Sequence, residues 1–246
     1  MAQNEKNNFS GFFDGNNCII SNLFISTTQN SESGVGLFSY NYGTICNIGL
    51  ENVNIDAIFD TEISGTMFVG GIVGRNEGTI DSVFVSGNIF SEYTGIRNSS
   101  IRTGGLCGQI TSGKIQNSYN VATIFTQGNC GNSTSIGGCV GTLSINAILS
   151  NSYNIGNIKE HNNKTIKVGG IVGSNSQSSS TIENCYYLQE ICSDGIGYNN
   201  GNSDTEENLN KTYQYMKTKE FVNLLGLSVF KLEIDKNNGY PILYWQ

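Results

Sequence analysis

The stretch "VGGIVGRNEGTIDSVFVSGNI", Val69 to Ile89, decides the reading, because the chain repeats it. "TGGLCGQITSGKIQNSYNVATI" starts at Thr103, "IGGCVGTLSINAILSNSYNIGNI" at Ile136 and "VGGIVGSNSQSSSTIENCYYLQ" at Val168. A worn copy, "VGLFSYNYGTICNIGLENVNI", starts at Val35. Aligned on Gly36, Gly71, Gly105, Gly138 and Gly170, the copies stand 35, 34, 33 and 32 residues apart. A period of this size marks a solenoid, a propeller or a repeat array. Helical repeats of this length carry long stripes of 3.6-residue period. Here the apolar runs are short, β-branched and cut by Gly or Asn, so they read as strands.

Three strand-like pieces recur. The first is "GGIVG", with Ile72, Leu106, Cys139 and Ile171 in one slot; the second opens on Ile45, Ile80, Ile115, Leu149 and Ile182; the third centres on Ile55, Ile89, Ile124, Ile158 and Ile191. Three short strands and three bends in ~33 residues make one coil of a parallel β-helix, an all-β fold. Coils stacked ~4.8 Å apart turn each slot into a ladder inside the tube. Each fully buried aliphatic side chain then contributes roughly 1.5–3 kcal/mol. Two residues after the second-strand aliphatic come Asn47, Ser82, Asn117, Asn151 and Asn184. Asn tolerates the left-handed region and can bond its equivalents above and below.

Two residues further on come Phe84, Tyr119, Tyr153 and Tyr186, with Gly49 in the first copy. At this interval the rings stack into a column. The column reads first as structural packing. Its sharper reading is a sugar-binding aromatic strip, since tyrosine hydroxyls want water. These four rings are the candidate binding residues.

The pattern expects about five to six coils over residues 1–191. The entering coil covers 9–32, and repeats start near 35, 69, 103, 136 and 168. Residues 192–246 are expected to form a loop, a helix and a C-terminal cap. The helix is read from Tyr215, Phe221, Leu224 and Leu225, ending on Gly226, and the last two strands flank Asn237-Asn238-Gly239. The tail is expected to seal the C-terminal end of the tube, with Trp245 buried there. Length variation concentrates at Ala57–Met67, Phe90–Arg102, Phe125–Ser135 and Lys159–Lys167, one corner of successive coils and a natural edge for recognition.

Composition fits this architecture and narrows the function. Gly numbers 31 and Pro 1, and only 13% of residues are charged. The net charge is −7 and there are three Arg, which argues against nucleic acid or an anionic membrane surface as partner. No apolar stretch approaches the ~18 residues of a membrane span. The N-terminal stretch has no apolar signal core, so the chain is either cytosolic or a piece of a longer exported protein; the entry into a repeat-like strand at Phe9 favours the piece. The seven Cys show no metal spacing; Cys107, Cys139 and Cys185 stand at repeat slots held elsewhere by Val, Ile, Leu or Ser and read as small core residues.

Catalysis finds little support. "GxxG" here precedes no strand–helix unit and no "GK[ST]", so it is not a phosphate loop. Asp56, Asp60 and Glu62 form the best carboxylate cluster and read as a solvated loop; His161 stands alone in "KEHNNK". No catalytic residue, metal ligand or cofactor is expected.

"VGGIVGRNEGTIDSV", "VGGIVGSNSQSSSTIENCYY" and "IGGCVGTLSINAILSNSYNIGNI" resemble the GLUG motif. "FSGFFDGNNCIISNLFI" is similar to the coil that often precedes such repeats, and "NNGYPILYW" to the segment that often follows. The resemblance implies a right-handed parallel β-helix on a bacterial cell-surface or secreted protein. Filamentous-haemagglutinin-type adhesins and the stalks of IgA-peptidase-like enzymes are examples. It implies a structural or adhesive role without catalysis, a host or cell-surface glycan or protein as partner, and an extracellular setting. The alternative is a carbohydrate-binding or carbohydrate-cleaving, pectate-lyase-like β-helix. A phage or cell-surface fibre segment would share the architecture.

Overall fold

The computed structural model describes residues 8–96, 98–128, 134–161, 166–203 and 209–246. Arg97, Cys130 and parts of three variable segments lie outside them. The chain is a parallel β-solenoid of about five turns with one short helix near its C-terminus. Its coils build three parallel sheets.

The first sheet holds the strands that run into the glycine pair: Ser33–Val35, Thr66–Gly70, Ser100–Gly104, Thr134–Gly137 and Ile166–Gly169. The second holds those that leave it: Phe38–Asn41, Val73–Asn76, Cys107–Ile110, Val140–Leu143 and Val172–Asn175. "GGI" is therefore a corner and not the start of a strand. Gly71 shows why the letter is needed: a Cβ there would lie 2.6 Å from a Val85 methyl and 2.7 Å from the Gly105 carbonyl oxygen. Ile72, Leu106, Cys139 and Ile171 follow the corner glycines and are fully buried.

The broad third sheet takes the second and third pieces of each period together. Thr44–Phe59 and Thr79–Tyr93 run through both as single bent strands. Ile45, Ile80, Ile115, Leu149 and Ile182 stand in register across successive coils and are at most 1% exposed. Ile25, Ile55, Ile89, Ile124 and Ile158 form the parallel ladder on the next leg. The last member expected there, Ile191, instead lies in a turn, its N–H donating to the Leu188 carbonyl (3.0 Å).

Between the legs the strand bends at Asn47, Ser82, Asn117, Asn151 and Asn184, all with φ between 45° and 56°. Asn184 Nδ2 donates to Asn151 Oδ1 (3.1 Å), Asn151 Nδ2 to Asn117 Oδ1 (3.3 Å), and Asn117 Nδ2 to Asp81 Oδ1 (2.9 Å). Asn47 Nδ2 reaches Asp14 Oδ1 at 3.1 Å. Each of the four Asn side chains thus ties one coil to the next, whereas Ser82 Oγ meets Asp81 Oδ1 of its own coil (2.9 Å).

The tube interior is not wholly apolar. Asn120 Nδ2 donates to Asn154 Oδ1 (2.8 Å), and Asn154 Nδ2 to the Gly170 carbonyl (3.0 Å); both side chains are fully buried. Ser91 Oγ lies 2.8 Å from Thr103 Oγ1 and 2.9 Å from Thr126 Oγ1. Burying such groups unpaired would cost about 1–3 kcal/mol each, so the pairs satisfy one another.

Two expectations for the C-terminal region change. The segment read as a loop from 192 forms a further, irregular rung. Asp194 and Gly195 carbonyls accept from Gly170 and Ile171 N–H (2.7 and 2.9 Å), Asn202–Ser203 pair with Thr181 and Ile182, and Asn210–Lys211 pair with Tyr187 and Leu188. Parallel pairing needs amides in register, not a matching set of side chains, so a rung forms without the repeat letters. The tail, in turn, does not seal the end of the tube. It folds back along the flank, as described next.

Candidate functional site

Phe84, Tyr119, Tyr153 and Tyr186 occupy one register position of the broad sheet, in successive coils. They point away from the tube interior and form a second apolar cluster, separate from the first. Phe84 and Tyr119 stack with centroids 5.2 Å apart and planes 9° apart; Tyr119 and Tyr153 stack at 5.0 Å and 3°. The column ends at Gly49, directly in register with Phe84. A Cβ on Gly49 would come within 2.1 Å of the Phe84 ring, so glycine is what lets that ring lie flat.

The tail covers the column. The Thr218 side chain caps the helix Lys219–Leu225 by accepting from Phe221 N (3.2 Å), and the helix stops at Gly226 with φ 114°. The helix turns Phe221, Val222 and Leu225 inward, while Leu224, expected on the buried stripe, is 40% exposed. Phe221 meets Tyr186 and Tyr153 edge-on at 5.4 and 6.0 Å. The antiparallel pair Phe230–Lys231 and Ile242–Leu243 continues the cover, and Trp245 reaches Phe84 at 5.9 Å. The hydroxyls find partners in the tail. Tyr119 Oη donates to Gln246 Oε1 (2.8 Å); Tyr153 Oη donates to the Pro241 carbonyl and accepts from Asn237 Nδ2 (3.0 Å).

As an open sugar platform the column is therefore corrected. Phe84, Tyr119, Tyr153 and Tyr186 are 5, 1, 0 and 6% exposed, and their faces are taken by one another and by the tail. The physical reason is area: four adjacent outward rings are too much apolar surface to leave in water. Burial pushes the Tyr119 and Tyr153 phenols far above their ordinary value.

Where the tail crosses beside Phe84 it leaves a cavity of about 470 Å³. One wall comes from the broad sheet, with Glu51 and Val121; the other comes from the tail, with Asp235, Lys236 and Gln246. Neither wall makes a cavity alone, and no sequence motif marks it.

The remaining candidates stay apart. Asp60 and Glu62 are exposed and Asp56 is half-buried on the outer side of its strand. His161 ends the strand Ile158–His161, exposed and in register with Gln127. Among the described residues no three His, Cys, Asp or Glu side chains gather as metal ligands. Arg75 bonds Thr111 Oγ1 (2.9 Å) and Glu77 Oε1 (3.0 Å), and both Arg75 and Arg102 lie against the Phe68 ring (5.8 and 5.6 Å). Cys107, Cys139 and Cys185 are buried free thiols, and burial raises Cys107 to about 12. No helix among the described residues is long and apolar enough to cross a membrane.

No protein-family model matches this chain. Halomucin from Haloquadratum walsbyi is 33% identical to it over 105 residues, 42% of this chain and 1% of that protein. The chain thus spans about a hundredth of that curated relative's length. A crystal structure of a protein provisionally assigned as an immunoglobulin A1 protease, from Bacteroides ovatus, superposes with a TM-score of 0.63 at 19% identity. That match covers 95% of this chain and 77% of the other. At that identity the likeness is one of fold: both chains are β-solenoids of the same general build.

Proposed function

We propose that this chain is a non-catalytic, structural or adhesive β-helical module of a bacterial cell-surface or secreted protein, of the GLUG-repeat kind. The observation that carries this reading is the ladder system, continuous from coil to coil along the aliphatic row Ile45, Ile80, Ile115, Leu149 and Ile182. Aliphatic, amide and aromatic rows run coil to coil, and such a stack is a stiff rod whose length is set by repeat number. The partial match to a halomucin and the fold likeness to a protein provisionally assigned as an immunoglobulin A1 protease support an extracellular setting. The name of the second protein brings proteolysis here only as something to test. Its partners would be host or cell-surface glycans or proteins.

The test is direct. The purified chain is incubated with immunoglobulin A1 and, separately, with polygalacturonate. Intact substrate by gel and no unsaturated product at 235 nm is the expected result. Turnover abolished by Asp56→Asn or His161→Ala would overturn the non-catalytic reading.

A further inference from the structure

We infer that the cavity between the broad sheet and the folded-back tail is a binding site for a neutral saccharide of one or two rings. This rests on the module reading and deepens its adhesive half by naming what is held.

At about 470 Å³ the cavity falls within the range of small-molecule sites. Its accessible apolar surface includes Ile19, 45% exposed, and the half-buried Val121, which offer a place for the C–H face of a sugar ring. Its polar groups come from both walls. Among the described residues the Glu51 carboxylate receives one long bond, from Ser21 Oγ at 3.3 Å to Oε2, so it keeps acceptor capacity. Asp235 faces the same space from the tail.

Donors are present as well. Gln246 Oε1 already accepts from Tyr119 Oη and from Leu243 N, both at 2.8 Å. That fixes the amide and leaves its NH₂ as the end available to a bound molecule. Lys236 Nζ is held by Glu233 Oε2 at 3.0 Å and donates to the Gln246 carbonyl, which leaves one of its three donors for a bound molecule. Carboxylates and cationic or amide donors therefore line one small space with an apolar floor. A sugar hydroxyl both donates and accepts, so one neutral ligand satisfies Glu51 and Asp235 while accepting from Lys236 and Gln246. An anion would be opposed by Glu51 and Asp235, since the Lys236 charge is already met by Glu233; an amine would meet the two carboxylates but leave the Gln246 amide unanswered, and putrescine separates it from a sugar.

The aromatic column thus serves the site indirectly. It holds the tail, and the tail supplies half the walls.

The experiment uses the whole chain, labelled with ¹⁵N, titrated in separate samples with lactose, cellobiose and N,N′-diacetylchitobiose. The expected result is saturable shifts from at least one sugar at the amides of Glu51, Val121 and residues 235–237, little changed by added salt. Glu51→Gln and Asp235→Asn should each weaken binding about tenfold, the worth of one good hydrogen bond to a charged group. In both variants Tyr119 and Tyr153 should still resist alkaline titration, showing that the tail is docked. No saturable shift from any of the three sugars, shifts confined to another face, or putrescine moving the same amides where the sugars do not, would overturn the proposal. Failure of the module reading looks different: there the sugar itself would be cleaved, visible in its own resonances.

Discussion

The tube interior and the flank beneath the tail are both buried apolar clusters built from stacked rows, yet they arise differently. The interior is made by the repeat against itself: Ile80 meets Ile45 and Ile115, its own equivalents. The flank is made by the repeat against something that does not repeat: Tyr153 stacks on Tyr119, but its edges meet Phe221 and Phe230, which occur once each. The first core is extendable, since another coil adds another rung. The second is set by the area that the non-repeating segment lays against the column.

This contrast can be broken most forcefully inside the tube. Ile80→Asp or Ile182→Asp places an unpaired charge where neighbours above and below are aliphatic. It should cost at least about 4 kcal/mol in urea unfolding, and a mild loss would mean that the ladders do not carry the fold. On the flank, Tyr153→Ala should cost about 3–4 kcal/mol by opening a cavity under Phe221. Its signature should be local: faster proteolysis between residues 212 and 246, with far-ultraviolet circular dichroism of the sheets retained. Global unfolding on that change would merge the two cores into one.

Alkaline pH separates them without mutation. Burial raises Tyr119 and Tyr153 in the folded state, so the unfolded chain loses these protons first. Their contribution is complete below pH ~10 and is lost as pH rises above it toward their folded values. Absorbance at 295 nm should show these two phenols un-ionised until the flank opens. Removing residues 212–246 should return them toward pH ~10, while Cys107 and Cys139 in the tube stay inert to a thiol reagent that labels exposed Cys18. Labelling of Cys107 in the shortened chain would show that the tail also secures the tube.

The smallest effect is expected at the outer bends. Asn151→Ala loses two inter-coil bonds and puts Ala at φ 45°, a change of about 1–2 kcal/mol in urea unfolding, and Asn151→Gly should recover part of it. Equal losses for the Ala and Gly variants would assign the whole effect to the hydrogen bonds.

The repeat was legible because stacking asks the same thing of every coil. Ile45 through Ile182, and Asn47 with Asn117, Asn151 and Asn184, could each be placed by spacing alone. What spacing missed was anything met once. The rung after residue 192 carries no repeat letters because backbone pairing does not require them. The inner Asn120–Asn154 pair looks, in sequence, like any polar residue after a Tyr. The aromatic column was found by spacing, but whether it faced water depended on where residues 212–246 lay.

Period, strand content, the membership of the second-strand ladder and the stacking of the aromatic rows follow from the letters themselves, since each coil's nearest neighbour is a copy of itself; Ile191, at the last coil where no further copy follows, does not join its row. The location of the glycine corner, the extra rung, the side on which the tail lies and the cavity beside Phe84 do not. They depend on contacts between segments far apart in the chain, such as Tyr119 with Gln246, and such contacts leave no periodic trace.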